Sequence, residues 1–123
     1  TALKFIDDNK QTPFFLYLSY AMPHAALQAP DEEIEKYYFD IDSPEKESYY
    51  GPTYKPRATR AAMVSYTDKH IGQVLRKLES LGIDNNTLVI FTSDNGGAPY
   101  IGLPDINAPY RGWKLSFFAW SFP

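Results

Sequence analysis

Thr87-Leu88-Val89-Ile90-Phe91-Thr92-Ser93-Asp94-Asn95-Gly96-Gly97 is the stretch on which the reading of this chain turns. Its first six residues are apolar and β-branched without alternation, which suits a short strand buried on both faces, as in a parallel sheet. Gly96-Gly97 then lets the backbone turn sharply, so Asp94 and Asn95 project just beyond a strand's C-terminal edge, where open α/β sheets hold ligands. A carboxylate beside a carboxamide is a hard-oxygen pair of the kind calcium or magnesium prefers, whereas zinc favours histidine or thiolate. The same residues also make an ordinary turn in which the side chains bond only the backbone. From these residues alone both readings stand.

Upstream of this stretch, residues 58–81 carry Val64, Ile71, Val74, Leu75, Leu78 and Leu81 at spacings that predict a helix. Gly82 supplies its stop, and Asp84-Asn85-Asn86 a turn into the strand. Further upstream, Thr12-Pro13 punctuates a second continuous apolar run, Phe14 to Tyr20, which ends at Met22-Pro23-His24. Strands near 13–20 and 87–93 and a helix near 58–81 predict an α/β fold with a right-handed βαβ unit. Between them, Asp31 to Tyr38 opens with carboxylates suited to a short helix of two or three turns at most. Residues 39–57, with Pro44, Gly51, Pro52 and Pro56, read as a long surface loop, a binding lid or a variable insertion.

The chain has 123 residues, 44% hydrophobic and 16% aromatic, a globular composition able to bury a core. A formal net charge of -3 and the lack of basic runs give no field for a phosphate backbone, so nucleic acid is not an expected partner. The apolar runs fall short of the ~20 residues needed to span a membrane. With no cysteine there is no disulfide, no thiolate metal site and no cysteine nucleophile in this chain.

Two further residues have chemistry to offer. His24, in the loop after the first run, can contact an anion or exchange a proton near neutral pH, or it can be structural. Lys114, in Tyr110-Arg111-Gly112-Trp113-Lys114, is a point charge able to hold a sulfate or phosphate oxygen, or a solvated surface group. His70 fits a partly exposed helix position without a role. Tyr37, Tyr38, Tyr49, Tyr50 and Tyr54 could stack on a sugar ring or simply anchor the loop.

Taken in order, Pro13 to Tyr20, Pro23-His24, Leu27-Gln28-Ala29-Pro30, Tyr66-Thr67-Asp68 through Ile71-Gly72, Leu88 to Gly97, and Arg111-Gly112-Trp113-Lys114 resemble the sulfatase family of the alkaline-phosphatase-like superfamily. The resemblance runs over most of the chain and implies that residues 1–123 are part of a sulfatase catalytic domain with a partial alkaline-phosphatase-like sheet. It implies that Asp94 and Asn95 match two calcium ligands, and that His24 and Lys114 match a histidine and a lysine contacting the substrate's sulfate. It further implies sulfate-ester hydrolysis, on a substrate such as a sulfated sugar, in a lysosomal, secreted or periplasmic setting.

The chain departs from the family's pattern in two places. The family's nucleophile is a formylglycine made from a Cys/Ser-x-Pro-x-Arg motif, and none occurs here; Ser121-Phe122-Pro123 begins like one but lies after the metal pair. Ala119 to Pro123 also stand where the family continues into a Glu-Gly-Gly-Ile-Arg-like stretch. The expectation is therefore a calcium-dependent sulfatase whose isolated segment is inactive. The alternatives are a non-catalytic binder of sulfated glycans and a phosphoester hydrolase of the same superfamily.

Overall fold

The computed structural model describes residues 1–40, 42, 53–98 and 107–116. In chain order its elements are α1 (Ala2–Asn9), α2 (Asp31–Ile34), α3 (Pro56–Ser80) and a single 3₁₀ turn at Asp84–Asn86. Tyr49, Tyr50 and the tail from Ala119 to Pro123 lie outside the described residues.

The long helix α3 is the scaffold, and its extent agrees with the predicted 58–81 to within two residues at each end. Pro56 opens it at the position where a missing N–H costs nothing. Lys55, at the N-cap, has left-handed backbone and contributes no capping side chain. The carboxylate of Asp42 takes over that role, its two oxygens accepting from Arg57 N at 2.7 Å and Ala58 N at 2.9 Å. A negative group there also opposes the positive end of the helix dipole. At the other end Gly82, at φ 68°, turns the chain so that its N–H reaches Glu79 O and the next N–H reaches Leu78 O.

Small residues on α3 allow close approach. Ala58 and Ala62 are fully buried and pack with Ile34 of α2, with Ala29 and Tyr37 at the margin. Glu33 joins the same contact through Lys36 at 2.5 Å and Lys69 of α3 at 3.9 Å. The Lys36 hydrogen bond holds the Glu33 carboxyl below the usual carboxylate range. Helix α2 is a single turn, shorter than the two or three turns the sequence allowed. Of the expected apolar stripe on α3 only Leu78 is buried; Val64 and Leu75 are 49% and 43% exposed.

Helix α1 lies in a segment for which no element was expected. Thr1 caps it by accepting from Lys4 N, Lys4 pairs with Asp8 at 2.6 Å, and Ile6 is fully buried. It packs against α3, where Lys77 reaches Asp7 at 2.7 Å.

The expected strands near 13–20 and 87–93 are not shown: no strand occurs among the described residues. Phe15, Leu88, Ile90 and Phe91 are 87%, 86%, 77% and 83% exposed. Neither 13–20 nor 88–93 makes a backbone hydrogen bond to another described residue. The physical reason lies in where each element finds its partners. A helix closes its own ladder, while an extended segment leaves every N–H and C=O unpaired until a neighbouring strand arrives. Among the described residues the βαβ pairing is not shown, and the described elements are helical.

Candidate functional site

Although no sheet is shown among the described residues, the loops after the two apolar runs meet on α3. Met63, 2% exposed, packs with buried Leu27, and Met22, Ala25, Ala29 and Ala98 close around the pair. The loop that follows the first run and Ala98, which follows the second, thus share one apolar cluster with a methionine of the helix. Thr67 donates to Met63 O at 2.9 Å one turn on.

Within the first loop His24 is exposed, and a tight turn places it, with His24 N donating to Ala21 O at 2.9 Å. Its Nδ1 is bonded to Ala25 O. A carbonyl only accepts, so Nδ1 carries the proton and Nε2 is left as the lone-pair nitrogen of the neutral ring. Lys114 Nζ stands 3.3 Å from that Nε2, so an ammonium donor faces an imidazole acceptor across 90 residues of sequence.

After the second run, Asp94 is exposed and Asn95 half-buried. Ser93 Oγ donates to Asn95 O at 2.9 Å, and Asn95 Nδ2 donates to Gly96 O at 3.1 Å. The latter bond commits the amide nitrogen and leaves Oδ1 as the acceptor end of the side chain. Gly97 then links this turn to the lysine loop, its carbonyl accepting from Lys114 N at 2.9 Å.

Asn107 reinforces the link and was missed in the sequence. Its Oδ1 accepts from Gly97 N at 2.7 Å, and its Nδ2 donates to Gly97 O at 3.1 Å and Gly112 O at 2.9 Å. The only local signal is an asparagine just before Ala108-Pro109, which reads as a turn residue. Downstream, Ser116 closes the loop, its Oγ accepting from Trp113 N at 2.8 Å.

Of the four residues singled out in the sequence, the structure brings His24 and Lys114 into direct contact. It ties Asp94 and Asn95 to them through Gly97. Among the described residues no group of three or more His, Asp or Glu side chains gathers in a metal-binding arrangement. Asp94 and Asn95 nevertheless have the donor chemistry that calcium takes, a carboxylate and a carboxamide oxygen, and could supply two of its six to eight oxygens. The tyrosines divide: the Tyr37 hydroxyl bonds Ser65 Oγ on α3, whereas Tyr38 is exposed and Tyr54 reaches Glu35 at 3.4 Å. His70 is half-buried and bonded through Nδ1 to Tyr66 O at 2.7 Å. No described helix is long and apolar enough to cross a membrane.

Comparison with known proteins places this geometry in context. The family model for sulfatases matches residues 1–122. Mouse arylsulfatase J is 36% identical over 106 residues, which cover 86% of this chain and 15% of that protein. Mouse N-acetylgalactosamine-6-sulfatase is 34% identical over 122 residues, 95% of this chain and 20% of that protein. An arylsulfatase of Klebsiella aerogenes is 28% identical, the match covering 85% of this chain and 30% of that protein. The chain thus spans between 15% and 30% of the length of these relatives.

Proposed function

Because the chain belongs to the sulfatase family, we propose that it supplies part of the active site of a calcium-dependent sulfate-ester hydrolase and is inactive by itself. One observation carries this reading: Lys114 Nζ faces His24 Nε2 at 3.3 Å, while the Lys114 backbone is bonded to the glycine that ends the Asp94-Asn95-Gly96-Gly97 turn. A cationic donor thereby meets an imidazole, and the carboxylate-carboxamide pair stands two and three residues before the glycine that bonds the lysine's backbone.

In this reading the sulfate group of the substrate competes with His24 Nε2 for the Lys114 ammonium. Lys114 then donates to sulfate oxygens and stabilises the charge that grows on them in the transition state. With Nδ1–H committed to Ala25 O, His24 donates to a sulfate oxygen through Nε2 only as imidazolium, or else takes a proton there. Asp94 and the Asn95 carboxamide would hold the calcium ion, which when bound acts as a Lewis acid toward the sulfate. In this reading the nucleophile, a formylglycine in this family, comes from residues outside this chain, within which no Cys/Ser-x-Pro-x-Arg motif occurs. The alkaline-phosphatase-like sheet belongs to the same proposal, with residues 13–20 and 87–93 as strands completed by partners elsewhere in the domain.

Two assays test this. The 123-residue chain incubated with an aryl sulfate and calcium should give no turnover above a His24→Ala/Asp94→Ala double variant; clear turnover would sink the claim that it is inactive alone. In the intact protein, Lys114→Ala should lower kcat by about 10²-fold or more, the scale of losing one preorganised donor to an oxyanion. An unchanged kcat would remove Lys114 from the site.

A further inference from the structure

We propose that Asn107 is the positioning residue that sets Lys114 against His24, an inference that rests on the reading of Lys114 as an anion contact. The carboxamide of Asn107 pairs with both peptide groups of Gly97, accepting from its N–H at 2.7 Å and donating to its carbonyl at 3.1 Å. It thus pairs with Gly97 as a neighbouring strand would, at a place where no strand occurs among the described residues. Its second N–H reaches Gly112 O at 2.9 Å, two residues before Lys114. Lys114 N donates to the same Gly97 carbonyl at 2.9 Å. Two segments, one following Asp94 and Asn95 and the other carrying Lys114, are therefore joined by a single side chain and one shared carbonyl.

The chemistry demanded at this position is narrow. One acceptor and two donors must leave one short side chain in a plane, which a carboxamide provides. Aspartate would keep the acceptor for Gly97 N but set a carboxylate oxygen against the Gly97 and Gly112 carbonyls. Alanine would leave all three backbone groups without this partner. Gly112, at φ 91°, has a backbone conformation that the bond from Asn107 helps to fix. The Asn107 bonds go to the backbone of Gly97 and Gly112, so its effect on the anion runs through the position of the lysine.

The test uses the intact protein and inorganic sulfate as the probe, with the inhibition constant and the hydrogen exchange of the Lys114 amide as separate readouts. Asn107→Ala should speed Lys114 amide exchange and raise the sulfate inhibition constant about tenfold, while exchange in α3 stays as in the parent. Asn107→Asp should do the same, since it loses both donors. In a Lys114→Ala background, Asn107→Ala should leave the inhibition constant where Lys114→Ala alone put it, because both act through one group. Unchanged Lys114 amide exchange in both Asn107 variants overturns the proposal, as does an additive effect in the double variant. If Lys114→Ala does not alter sulfate inhibition, the reading of Lys114 as an anion contact fails. Faster Lys114 amide exchange in Asn107→Ala would still support the positioning role in that case.

Discussion

Helix α3 and the two apolar runs at 13–20 and 87–93 respond in opposite ways to the same chain. The helix is formed, capped at both ends and buried against α1 and α2. The runs are richer in large apolar side chains, yet Phe15, Leu88, Ile90 and Phe91 face solvent. Hydrophobicity alone does not decide which segment is buried. A helix satisfies its backbone locally and needs only one face covered, whereas a strand needs neighbours on both edges and both faces before burial is favourable. The site loops follow the second kind of segment; the cluster around Met63 fastens them to the helix, and Asn107 fastens two of them to each other.

The largest test of that contrast compares Met63→Ala with Ile90→Ala. In the 123-residue chain, Met63→Ala should cost about 2–5 kcal/mol of unfolding free energy, the range for truncating a buried methionine. Ile90→Ala should change it by less than about 0.5 kcal/mol, as expected of an exposed position. In the intact protein the Ile90 variant should become costly as well, because the proposed sheet would then bury it. Urea titrations of both variants in both contexts decide the matter. Equal costs in the isolated chain would show that the runs already pair and would break the comparison.

The same contrast explains what the sequence could and could not disclose. The extent of α3 was legible because periodic apolar residues, Pro56 and Gly82 are local signals. Its buried face was less so, since Ala58, Thr59 and Ala62 take the place expected of Val64 and Leu75; only the positions of α1 and α2 settle that. Helix α1 was not anticipated, although Ala2, Phe5 and Ile6 recur at helical spacings over its eight residues. The runs were correctly read as apolar, but pairing depends on residues distant in sequence. At the site, His24, Lys114, Asp94 and Asn95 were singled out through the order of their motifs, and their roles belong to the proposal. Asn107 was not, because its three bonds exist only after two loops have met.

A smaller effect separates local from distant support within the helix itself. Asp42→Ala removes the acceptor of Arg57 N and Ala58 N, a capping arrangement in which the side chain comes from outside the helix. The expected loss is about 1 kcal/mol, within the usual range for a cap, with faster amide exchange confined to the first turn of α3. If exchange also rises at Lys114, the loop and helix frames are more tightly coupled than their contacts suggest. Smaller again is Asp7→Asn at the pair with Lys77, which joins α1 to α3 at 2.7 Å. Both side chains are partly exposed, so the variant should cost about 0.2–1 kcal/mol and less in high salt.

The smallest change is expected at Glu33, where it should show as pH dependence. Its folded-state pKa lies below the usual 4.5, first because Lys36 donates a hydrogen bond to the carboxylate, with Lys36 and Lys69 charges adding to that and burial opposing it. A depressed carboxyl pKa means that the unfolded chain binds the proton more readily than the folded one. The contribution is therefore present above about pH 4.5 and is lost as the pH falls through the folded value. Glu33→Gln should leave a shallower acid limb in a plot of stability against pH, with parent and variant drawing together at the acid end. Parallel curves through that range would show that the α2–α3 contact depends on Ile34, Ala58 and Ala62 alone, and that the charge at its edge adds nothing to the frame holding the site.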